Sequence, residues 1–312
     1  MIRAFIFPGQ GAQAVGMGAD VAAEFPVAAE VFGAANDILG FDLRRLCFEG
    51  PAEQLNTTTI SQPAIFTVSA AILEAFRSEL GPDRFVADVT AGLSLGEYTA
   101  LYAAGVLAFE DALRLVHKRG QAMQAAADAS EGAMVSILGL DEDKTRQACE
   151  RARQGELLEP VNFNCPGQIV VSGAIGPCER VGPISLELGA MKAIRLEVAG
   201  AFHTEMMKPA ADALRQALQT CPIVDRTAVR TIANINATYY DGRQAVIDGL
   251  TAQLTRPILW HKCMETLLAD GVETFYEIGP GRVLTGLMKR INRKANVINV
   301  STAPAIREVL GA

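Results

Sequence analysis

Short apolar stretches alternate with amphipathic segments along the first part of this chain. The stretch 3–7 predicts a strand, and Pro8-Gly9-Gln10-Gly11 directly after it is typical of a turn. The pattern predicts helical segments over about 19–39 and 62–80, and a second short strand over 85–91. Strands that alternate with helices in this way are typical of an α/β fold with a parallel sheet.

A region in the middle of the chain has a different order of elements. The pattern predicts β-α-β-β-α-β over 134–138, 141–154, 160–164, 168–173, 178–188 and 192–198. This order is typical of a small ferredoxin-like unit. After Gly200 the α/β pattern resumes. We therefore expect a main α/β domain over 1–127 and 199–312, a small subdomain over 128–198, and a ligand cleft between them.

The second predicted strand ends in a pentapeptide of the form G-x-S-x-G. Gly92-Leu93-Ser94-Leu95-Gly96 follows 85–91, and the segment 97–105 after it is rich in Ala, Leu and Tyr and predicts a helix. A strand, a tight turn and a helix form the context of a nucleophile elbow, in which free N–H groups of the helix stabilise negative charge. Ser94 is therefore a candidate nucleophile. The alternative is a strand-to-helix connection built from small residues.

A serine nucleophile needs a base, and the sequence contains three histidines. His117 lies off the apolar stripe of a predicted helix, which indicates a surface position. His261 lies beside apolar positions of another predicted helix, which indicates a structural role. His203 follows the small residues 199–201 and precedes a helix predicted from about Glu205. Because loops after strand ends carry catalytic groups in α/β enzymes, His203 is the candidate base.

One charged residue falls on an apolar helix face. At spacings of four, three, four and three, that face consists of Ala112, Val116, Arg119, Met123 and Ala126. A buried guanidinium is costly unless an anion meets it, and its planar fork can bind a carboxylate through two parallel hydrogen bonds. The spacing fits anion recognition, and it fits equally a packed stem with a solvent-directed head or a structural salt bridge.

Composition limits the classes of function. The chain has 312 residues, of which 50% are hydrophobic, which is enough for a sizeable core. A net charge of −7 argues against nonspecific binding to nucleic acid or to anionic membranes. No apolar run approaches the roughly 20 residues of a membrane helix. Six scattered cysteines without a C-x-x-C pair predict structural thiols, no zinc site and a cytoplasmic location.

Seven motifs, which together span nearly the whole chain, carry a resemblance. They are Phe7-Pro8-Gly9-Gln10-Gly11; Gly92-Leu93-Ser94-Leu95-Gly96-Glu97-Tyr98; Lys118-Arg119-Gly120 with Met123-Gln124; Asn164-Cys165-Pro166-Gly167-Gln168 with Val170-Val171-Ser172-Gly173; Gly200-Ala201-Phe202-His203; Gln253-Leu254 with Pro257 and Trp260; and Glu277-Ile278-Gly279-Pro280-Gly281 with Val283-Leu284. In this order they resemble the malonyl-CoA:acyl-carrier-protein transacylase family, which is shared with the acyltransferase domains of polyketide synthases (PKS).

The resemblance implies a role for each matching residue. Ser94 would be the nucleophile and His203 the base. Arg119 would bind the malonyl carboxylate. The backbone N–H groups of Gln10 and Leu95 would form the oxyanion hole. A carbonyl rather than a carboxylate would orient His203, so that no catalytic aspartate is expected.

Further positions around the site are implied by the same resemblance. Gln253 would help to organise the site near His203, and Asn162 is a candidate for the same surroundings. Phe202 is predicted to line the acyl pocket and to disfavour an α-methyl branch. The chain departs from the family at Leu93, where the family usually has histidine. Leu93 removes a polar group from the pocket floor, which affects acyl selectivity or attack by water.

We therefore expect an α/β fold, with an α/β-hydrolase-like main domain and an inserted ferredoxin-like small subdomain. The implied reaction moves malonyl from malonyl-CoA to the phosphopantetheine thiol of acyl carrier protein through a malonyl-serine, in fatty acid biosynthesis. It needs no metal or redox cofactor, and we expect a monomer. The alternatives are a stand-alone acyltransferase that loads a polyketide synthase, a serine thioesterase or esterase, and a catalytically silent carrier-binding module.

A basic cluster near the C-terminus is the candidate docking surface for the carrier protein. Carrier proteins of this kind are acidic, so an enzyme with a net charge of −7 needs a local basic patch to bind them. The best cluster follows Gly281 on a predicted helix and consists of Lys289, Arg290, Arg293 and Lys294. The alternative is a solvated helix face.

Overall fold

Two β-sheets and a surrounding set of helices make up the computed structural model, which describes residues 2–81 and 86–311. The strands are β1 (Ile2–Phe7), β2 (Val89–Gly92), β3 (Gly132–Leu138), β4 (Leu158–Cys165), β5 (Gln168–Ala174), β6 (Lys192–Arg195), β7 (Arg230–Thr231), β8 (Val272–Ile278) and β9 (Asn296–Val300). The predicted strand over 85–91 starts at Phe85, which lies outside the described residues; β2 is the strand observed there.

The helices lie before, between and after these strands. They are α1 (Ala19–Glu24), α2 (Pro26–Leu39), α3 (Leu43–Glu49), α4 (Ala52–Leu55), α5 (Thr58–Leu80), α6 (Gly96–Ala103), α7 (Phe109–Asp128), α8 (Glu142–Arg153), α9 (Ile175–Glu187), α10 (Lys208–Thr220), α11 (Arg243–Gln253), α12 (Trp260–Ala269), α13 (Val283–Ile291) and α14 (Ala303–Leu310), with a short 3-10 helix at Glu205–Met207.

The larger sheet is parallel and covered on both faces. Its strand order is β7-β2-β1-β8-β9, and each pair of neighbours runs parallel. Successive side chains of β1 enter different clusters, since Phe5 and Phe7 belong to one apolar core, and Ala4 and Ile6 to another. A parallel strand covered by helices on both faces needs apolar residues at every position, which explains the unbroken apolar stretch in the sequence.

The smaller sheet is antiparallel and is formed by the middle of the chain. Its strand order is β4-β5-β3-β6. In β3, Ala133, Val135 and Ile137 join the core that includes residues of α8 and α9, whereas Met134 joins the core of the main domain. The predicted order β-α-β-β-α-β is confirmed for residues 132–195.

The region 19–39, where helical segments are predicted, forms two helices, α1 and α2. Phe25 is extended, with φ −110° and ψ 109°, and α2 begins at Pro26. Proline disfavours the helical conformation in the residue before it and lacks an N–H group, so it ends α1 and starts α2. Helix α5 also starts four residues earlier than predicted, at Thr58 rather than 62.

Helix α5 is long and apolar enough, by length and composition, to cross a membrane, which differs from the expectation based on uninterrupted apolar runs. However, 83% of its most apolar 18-residue window is buried inside the protein. Buried residues follow one another along almost all of α5, from Ser61 to Phe76. This burial is typical of a core helix of a folded domain.

Candidate active site

The G-x-S-x-G pentapeptide forms a sharp turn between β2 and α6. A Cβ atom on Gly92 would lie 1.9 Å from the carbonyl carbon of Gly96, so the turn closes only with glycine there. Ser94 sits at the apex with φ 51°, a left-handed conformation that non-glycine residues rarely adopt. Strain of this kind is common at functional sites, because the surrounding structure has to hold it in place.

The loop after β1 lies directly beside this turn. A Cβ atom on Gly9 would lie 2.3 Å from the carbonyl oxygen of Leu93, so glycine permits the close approach. Gln10 consequently lines the same cleft as Ser94. Within residues 2–81 and 86–311, the backbone N–H groups of Gln10 and Leu95 form no hydrogen bond. Two free donors beside a serine are the elements of an oxyanion hole.

His203 lies next to Ser94 although 109 positions separate them in sequence. Ser94 Oγ is 3.1 Å from His203 Nε2, and His203 Nδ1 is 2.7 Å from the backbone carbonyl oxygen of Gln253. A carbonyl oxygen only accepts, so Nδ1 carries the proton and Nε2 presents a lone pair to the serine. Burial, and then the Arg119 charge, lower the pKa of His203 to about 4, which keeps the imidazole neutral near pH 7.

The other two histidines lie elsewhere. His117 Nε2 is 3.0 Å from the Gln121 side chain on the same helix, and it is half-buried rather than fully exposed as expected. His261 Nε2 is 3.2 Å from Glu265 Oε1, also on its own helix. Neither contacts Ser94.

Arg119 is buried directly beneath the serine, with 1% of its surface exposed. Its Nη2 donates to Ser94 Oγ at 3.0 Å and to Gln253 Oε1 at 2.9 Å, and its Nη1 donates to Gln62 Oε1 at 2.7 Å. The guanidinium also lies 5.5 Å from the centre of the Tyr98 ring. Its buried Nε has no hydrogen-bond partner among the described residues.

These contacts decide between the alternatives that the helix spacing allowed. A solvent-directed head would be exposed, and Arg119 is not. A structural salt bridge would need a carboxylate partner, and Arg119 forms no ion pair within the described ranges. Its direct hydrogen-bond partners are all neutral, and burial lowers its pKa, against the opposing effects of the nearby Tyr98 and Glu97. The site therefore presents a cation that has no carboxylate hydrogen-bonded to it, within 3.0 Å of the Ser94 hydroxyl oxygen.

Gln253, the last residue of α11, joins the components of the site. Its backbone carbonyl accepts from His203, its side-chain oxygen accepts from Arg119, and its Nε2 donates to the Ser94 carbonyl at 3.0 Å and to Glu97 Oε2. The last carbonyls of a helix have no partner inside the helix, which leaves that of Gln253 free to accept from His203.

The sequence reasoning missed residues that support this arrangement. Asn234 accepts from the Ser94 N–H at 2.7 Å and donates to the Gly92 carbonyl at 2.8 Å, so it fixes both ends of the turn. Gln62 holds Arg119, and Tyr240 donates to Glu97. Gln62 is one of several buried polar residues of α5, with Ser61, Thr67 and Ser69 among them, so its position in the sequence gave no specific signal.

A cleft of about 430 Å³ opens above Ser94 and His203. Its lining includes Gln10, Leu93 and Phe202, and the small sheet contributes Met134 and Asn162. This volume lies in the range of small-molecule sites. The buried Asn162 Oδ1 has no hydrogen-bond partner among the described residues, so it bonds neither the serine nor the histidine. Arg119 and Gln253 lie beneath the cleft rather than on its walls.

The basic cluster near the C-terminus differs from the expectation. All four residues are exposed. The Arg290 guanidinium nevertheless donates to the Gln168 side chain at 3.0 Å and to the carbonyls of Pro166 and Gly167 at 3.1 Å. Only the first two basic residues belong to α13; the others follow it. Arg290 therefore ties α13 to the turn between β4 and β5, and these bonds compete with any contact to a partner.

The geometry combines a hydroxyl, a neutral imidazole, two unpaired N–H groups and a buried cation. The imidazole can take the hydroxyl proton as a new bond forms at Oγ. The N–H groups can stabilise a developing oxyanion, and the cation can hold a carboxylate on the acyl group. This set of groups is suited to acyl transfer from an activated ester or thioester.

Comparisons with known proteins agree with this geometry. The family model of the acyl transferase domain matches residues 4–310. The malonyl CoA-acyl carrier protein transacylase of Bacillus subtilis (strain 168) is 44% identical over 305 residues, which cover 97% of this chain and 94% of that protein. The protein of the same name from Escherichia coli (strain K12) is 43% identical over 305 residues, with coverages of 98% and 96%.

Solved structures are similar throughout their length. One is a type II PKS acyl-carrier protein in complex with its malonyl-transacylase, with a TM-score of 0.95, 39% identity, and coverage of 100% of this chain and 99% of that chain. Another is the malonyl CoA-acyl carrier protein transacylase from Coxiella burnetii, with a TM-score of 0.95, 37% identity, and coverages of 100% and 97%. By sequence and by structure, this chain belongs to the acyl transferase domain family.

Proposed function

We propose that this protein transfers the malonyl group from malonyl-CoA to the phosphopantetheine thiol of acyl carrier protein. The observation that carries the proposal is the buried Arg119 guanidinium, which is hydrogen-bonded to no carboxylate and whose Nη2 lies 3.0 Å from Ser94 Oγ. An acyl group attached to that oxygen would extend past a buried cation, which suits an acyl group that ends in a carboxylate. The names of the relatives support the same substrate and partner.

In the first step, Ser94 Oγ attacks the thioester carbon of malonyl-CoA while His203 Nε2 takes the hydroxyl proton. The N–H groups of Gln10 and Leu95 would stabilise the oxyanion, and such a donor contributes about 3–4 kcal/mol in comparable sites. The intermediate collapses as the C–S bond breaks. His203 returns the proton to the departing sulfur, which leaves CoA as a thiol and malonyl as an ester of Ser94.

The second step reverses the first with a different thiol. The pantetheine thiol of the carrier protein loses its proton to His203 and attacks the malonyl ester. The C–O bond to Ser94 breaks, and His203 protonates the serine oxygen. Every bond change uses groups of this chain or of its substrates, so the proposed reaction needs no metal and no redox cofactor.

We also propose that the fold consists of an α/β-hydrolase-like main domain and a ferredoxin-like subdomain. The strand, turn and helix around Ser94 support an α/β-hydrolase-like main domain over 1–127 and 199–312. The strand order β4-β5-β3-β6 supports a ferredoxin-like subdomain over 128–198. The six free, buried cysteines support a cytoplasmic location.

Two alternative functions fit less well. A thioesterase with an open acyl pocket does not require a buried cation at the serine. A catalytically silent carrier-binding module does not require the Ser94–His203 pair. A stand-alone acyltransferase for a polyketide synthase uses the same chemistry, and a similar structure contains a type II PKS carrier protein. We propose fatty acid biosynthesis as the pathway, and the genes adjacent to this one would distinguish the two.

The direct test is incubation with malonyl-CoA, followed by intact-mass measurement and peptide mapping. We expect the protein to gain the mass of one malonyl group on the peptide that contains Ser94. Addition of phosphopantetheinylated acyl carrier protein should then move that mass to the carrier. An adduct on a cysteine, or the absence of an adduct with the protein folded, would contradict the proposal.

Phe202 should set the preference for an unbranched acyl group. It is 4% exposed and lines the cleft next to His203. A bulky ring there leaves little room for an α-methyl branch, and such a pocket discriminates by about 10- to 200-fold per methyl group. We expect kcat/KM for malonyl-CoA to exceed that for methylmalonyl-CoA, and Phe202→Ala to narrow the ratio. A wild-type preference for methylmalonyl-CoA would contradict this assignment.

Exposed lysines of the basic cluster should contribute to carrier binding. Because Arg290 is engaged with the turn at 166–168, the informative variant is Lys289→Glu with Lys294→Glu. We expect KM for the carrier protein to rise several-fold, more at low salt, because screening acts within about 8–10 Å at physiological ionic strength. Malonylation of Ser94 by malonyl-CoA should not change. An unchanged carrier KM would place docking on another surface, such as the cleft rim.

A further inference from the structure

Glu97 is a fully buried carboxylate, 0% exposed, that directly contacts neither Ser94 Oγ nor His203. Three groups of the described residues donate hydrogen bonds to its carboxylate. Gln253 Nε2 donates to Oε2, and the Tyr240 hydroxyl and the Asn234 N–H, at 3.3 Å, donate to Oε1. The mechanism above gives Glu97 no part, although a buried carboxylate is costly to retain.

The hydrogen bonds of Glu97 determine which way the Gln253 amide faces. Because Nε2 of Gln253 is directed to Glu97 and to the Ser94 carbonyl, its oxygen is turned to Arg119. If the amide turned over, an NH₂ group would face the guanidinium, and donors would face each other. An ionised carboxylate at position 97 therefore keeps an acceptor in front of Arg119.

We propose that ionised Glu97 is a positioning residue that fixes the Gln253 amide and, through it, the guanidinium of Arg119. This inference rests on the proposed function, because it assigns Arg119 to the acyl carboxylate. Gln253 is also the residue whose backbone carbonyl orients His203, so both groups beside Ser94 depend on its placement. Protonation of Glu97 on Oε2 would turn a donor toward Gln253 Nε2 and release the amide.

The surroundings make Glu97 sensitive to pH near neutrality. Burial raises the pKa of Glu97 to about 7, against the effects of its hydrogen-bond donors and of Arg119. The other titratable groups around it are Tyr98, Arg119, Tyr240 and Cys263. Burial raises the pKa of both tyrosines and of the thiol, so these groups are neutral and Arg119 is charged near pH 7. As the pH falls through about 7, Glu97 gains a proton and activity should fall.

Three variants test the proposal through the pH profile of kcat/KM for Ser94 malonylation, from about pH 5 to about pH 9. The wild-type profile should lose activity below about pH 7. Tyr240→Phe removes a donor to the carboxylate, so the acidic limb should move up by about half a unit to one unit. Glu97→Gln cannot ionise and sets an NH₂ group against Gln253. It should lower the plateau by about 10- to 100-fold and remove the limb near pH 7.

Glu277→Gln is the matched control. Glu277 is also 0% exposed and accepts from the N–H groups of Leu284 and Thr285 at 2.8 and 2.9 Å. It lies near the end of β8, and it forms no hydrogen bond with Ser94, His203, Arg119 or Gln253. We expect it to lower the melting temperature and to leave the acidic limb in place. An unshifted limb in Tyr240→Phe, or a wild-type limb in folded Glu97→Gln, would overturn the proposal. The absence of malonylation at every pH would contradict the proposed function instead.

Discussion

Replacement of Ser94 by alanine is expected to abolish the malonyl-enzyme and to lower malonyl transfer to the carrier protein by about 10⁴-fold or more. In the proposed reaction the Ser94 hydroxyl oxygen is the atom that forms the new bond to the acyl carbon. All six cysteines are buried, and burial raises the pKa of the Cys47 and Cys149 thiols to about 12. A thiol with so high a pKa has almost no nucleophilic thiolate at pH 7.

His203→Ala provides the matched comparison for this prediction. It leaves the hydroxyl in place but removes the acceptor 3.1 Å away, so slow acylation of Ser94 should still be detectable. Combining both substitutions should cost no more than Ser94→Ala alone, because residues that act as a unit are not additive. Rapid quench followed by mass spectrometry measures both rates. Malonylation of folded Ser94→Ala at a wild-type rate would mean that the nucleophile lies elsewhere.

Local sequence signals located the components of the site that depend on local structure. The turn around Ser94 needs glycine on both sides, so the pentapeptide itself predicts the elbow. Arg119 interrupts an apolar stripe, and the stripe is buried as the spacing predicted. His203 lies next to a bend of small residues, as predicted, but the strand before it, β6, ends at Arg195 rather than 198 and belongs to the small antiparallel sheet. In each case the physical requirement acts within one continuous segment of the chain, where a pattern can record it.

The supporting contacts lie beyond the reach of such patterns. Asn234 meets Ser94 across 140 positions, and it follows β7, a strand of two residues that is too short to show any periodicity. Gln62 meets Arg119 only because α5 packs against α7. Arg290 belongs to an apparently solvated basic cluster, yet it contacts a turn 122 to 124 positions away. These partners meet only because distant segments pack together in the fold, and such contacts leave no local pattern in a single sequence.

Arg119→Ala is expected to reduce malonyl transfer by about 10²- to 10³-fold and acetyl transfer by less than about tenfold. In the free enzyme the guanidinium bonds to Gln62, Gln253 and Ser94, all of which are neutral. A malonyl group on Ser94 would supply the missing carboxylate in a site that excludes water, where charge-assisted hydrogen bonds are strong. Acetyl ends in a methyl group and gains nothing from the cation.

The ratio of the malonyl transfer rate to the acetyl transfer rate is the decisive measurement for Arg119. Removing a large buried side chain also destabilises the core. The fraction of folded enzyme then falls, which lowers the malonyl and acetyl transfer rates by the same factor. Arg119→Lys keeps the charge and loses the planar fork, so its malonyl rate should fall between those of the wild type and Arg119→Ala. Equal losses for malonyl and acetyl in both variants would show that Arg119 only supports Ser94 and Gln253. A malonyl-specific loss, graded from lysine to alanine, would show that the buried cation selects acyl groups by their free carboxylate.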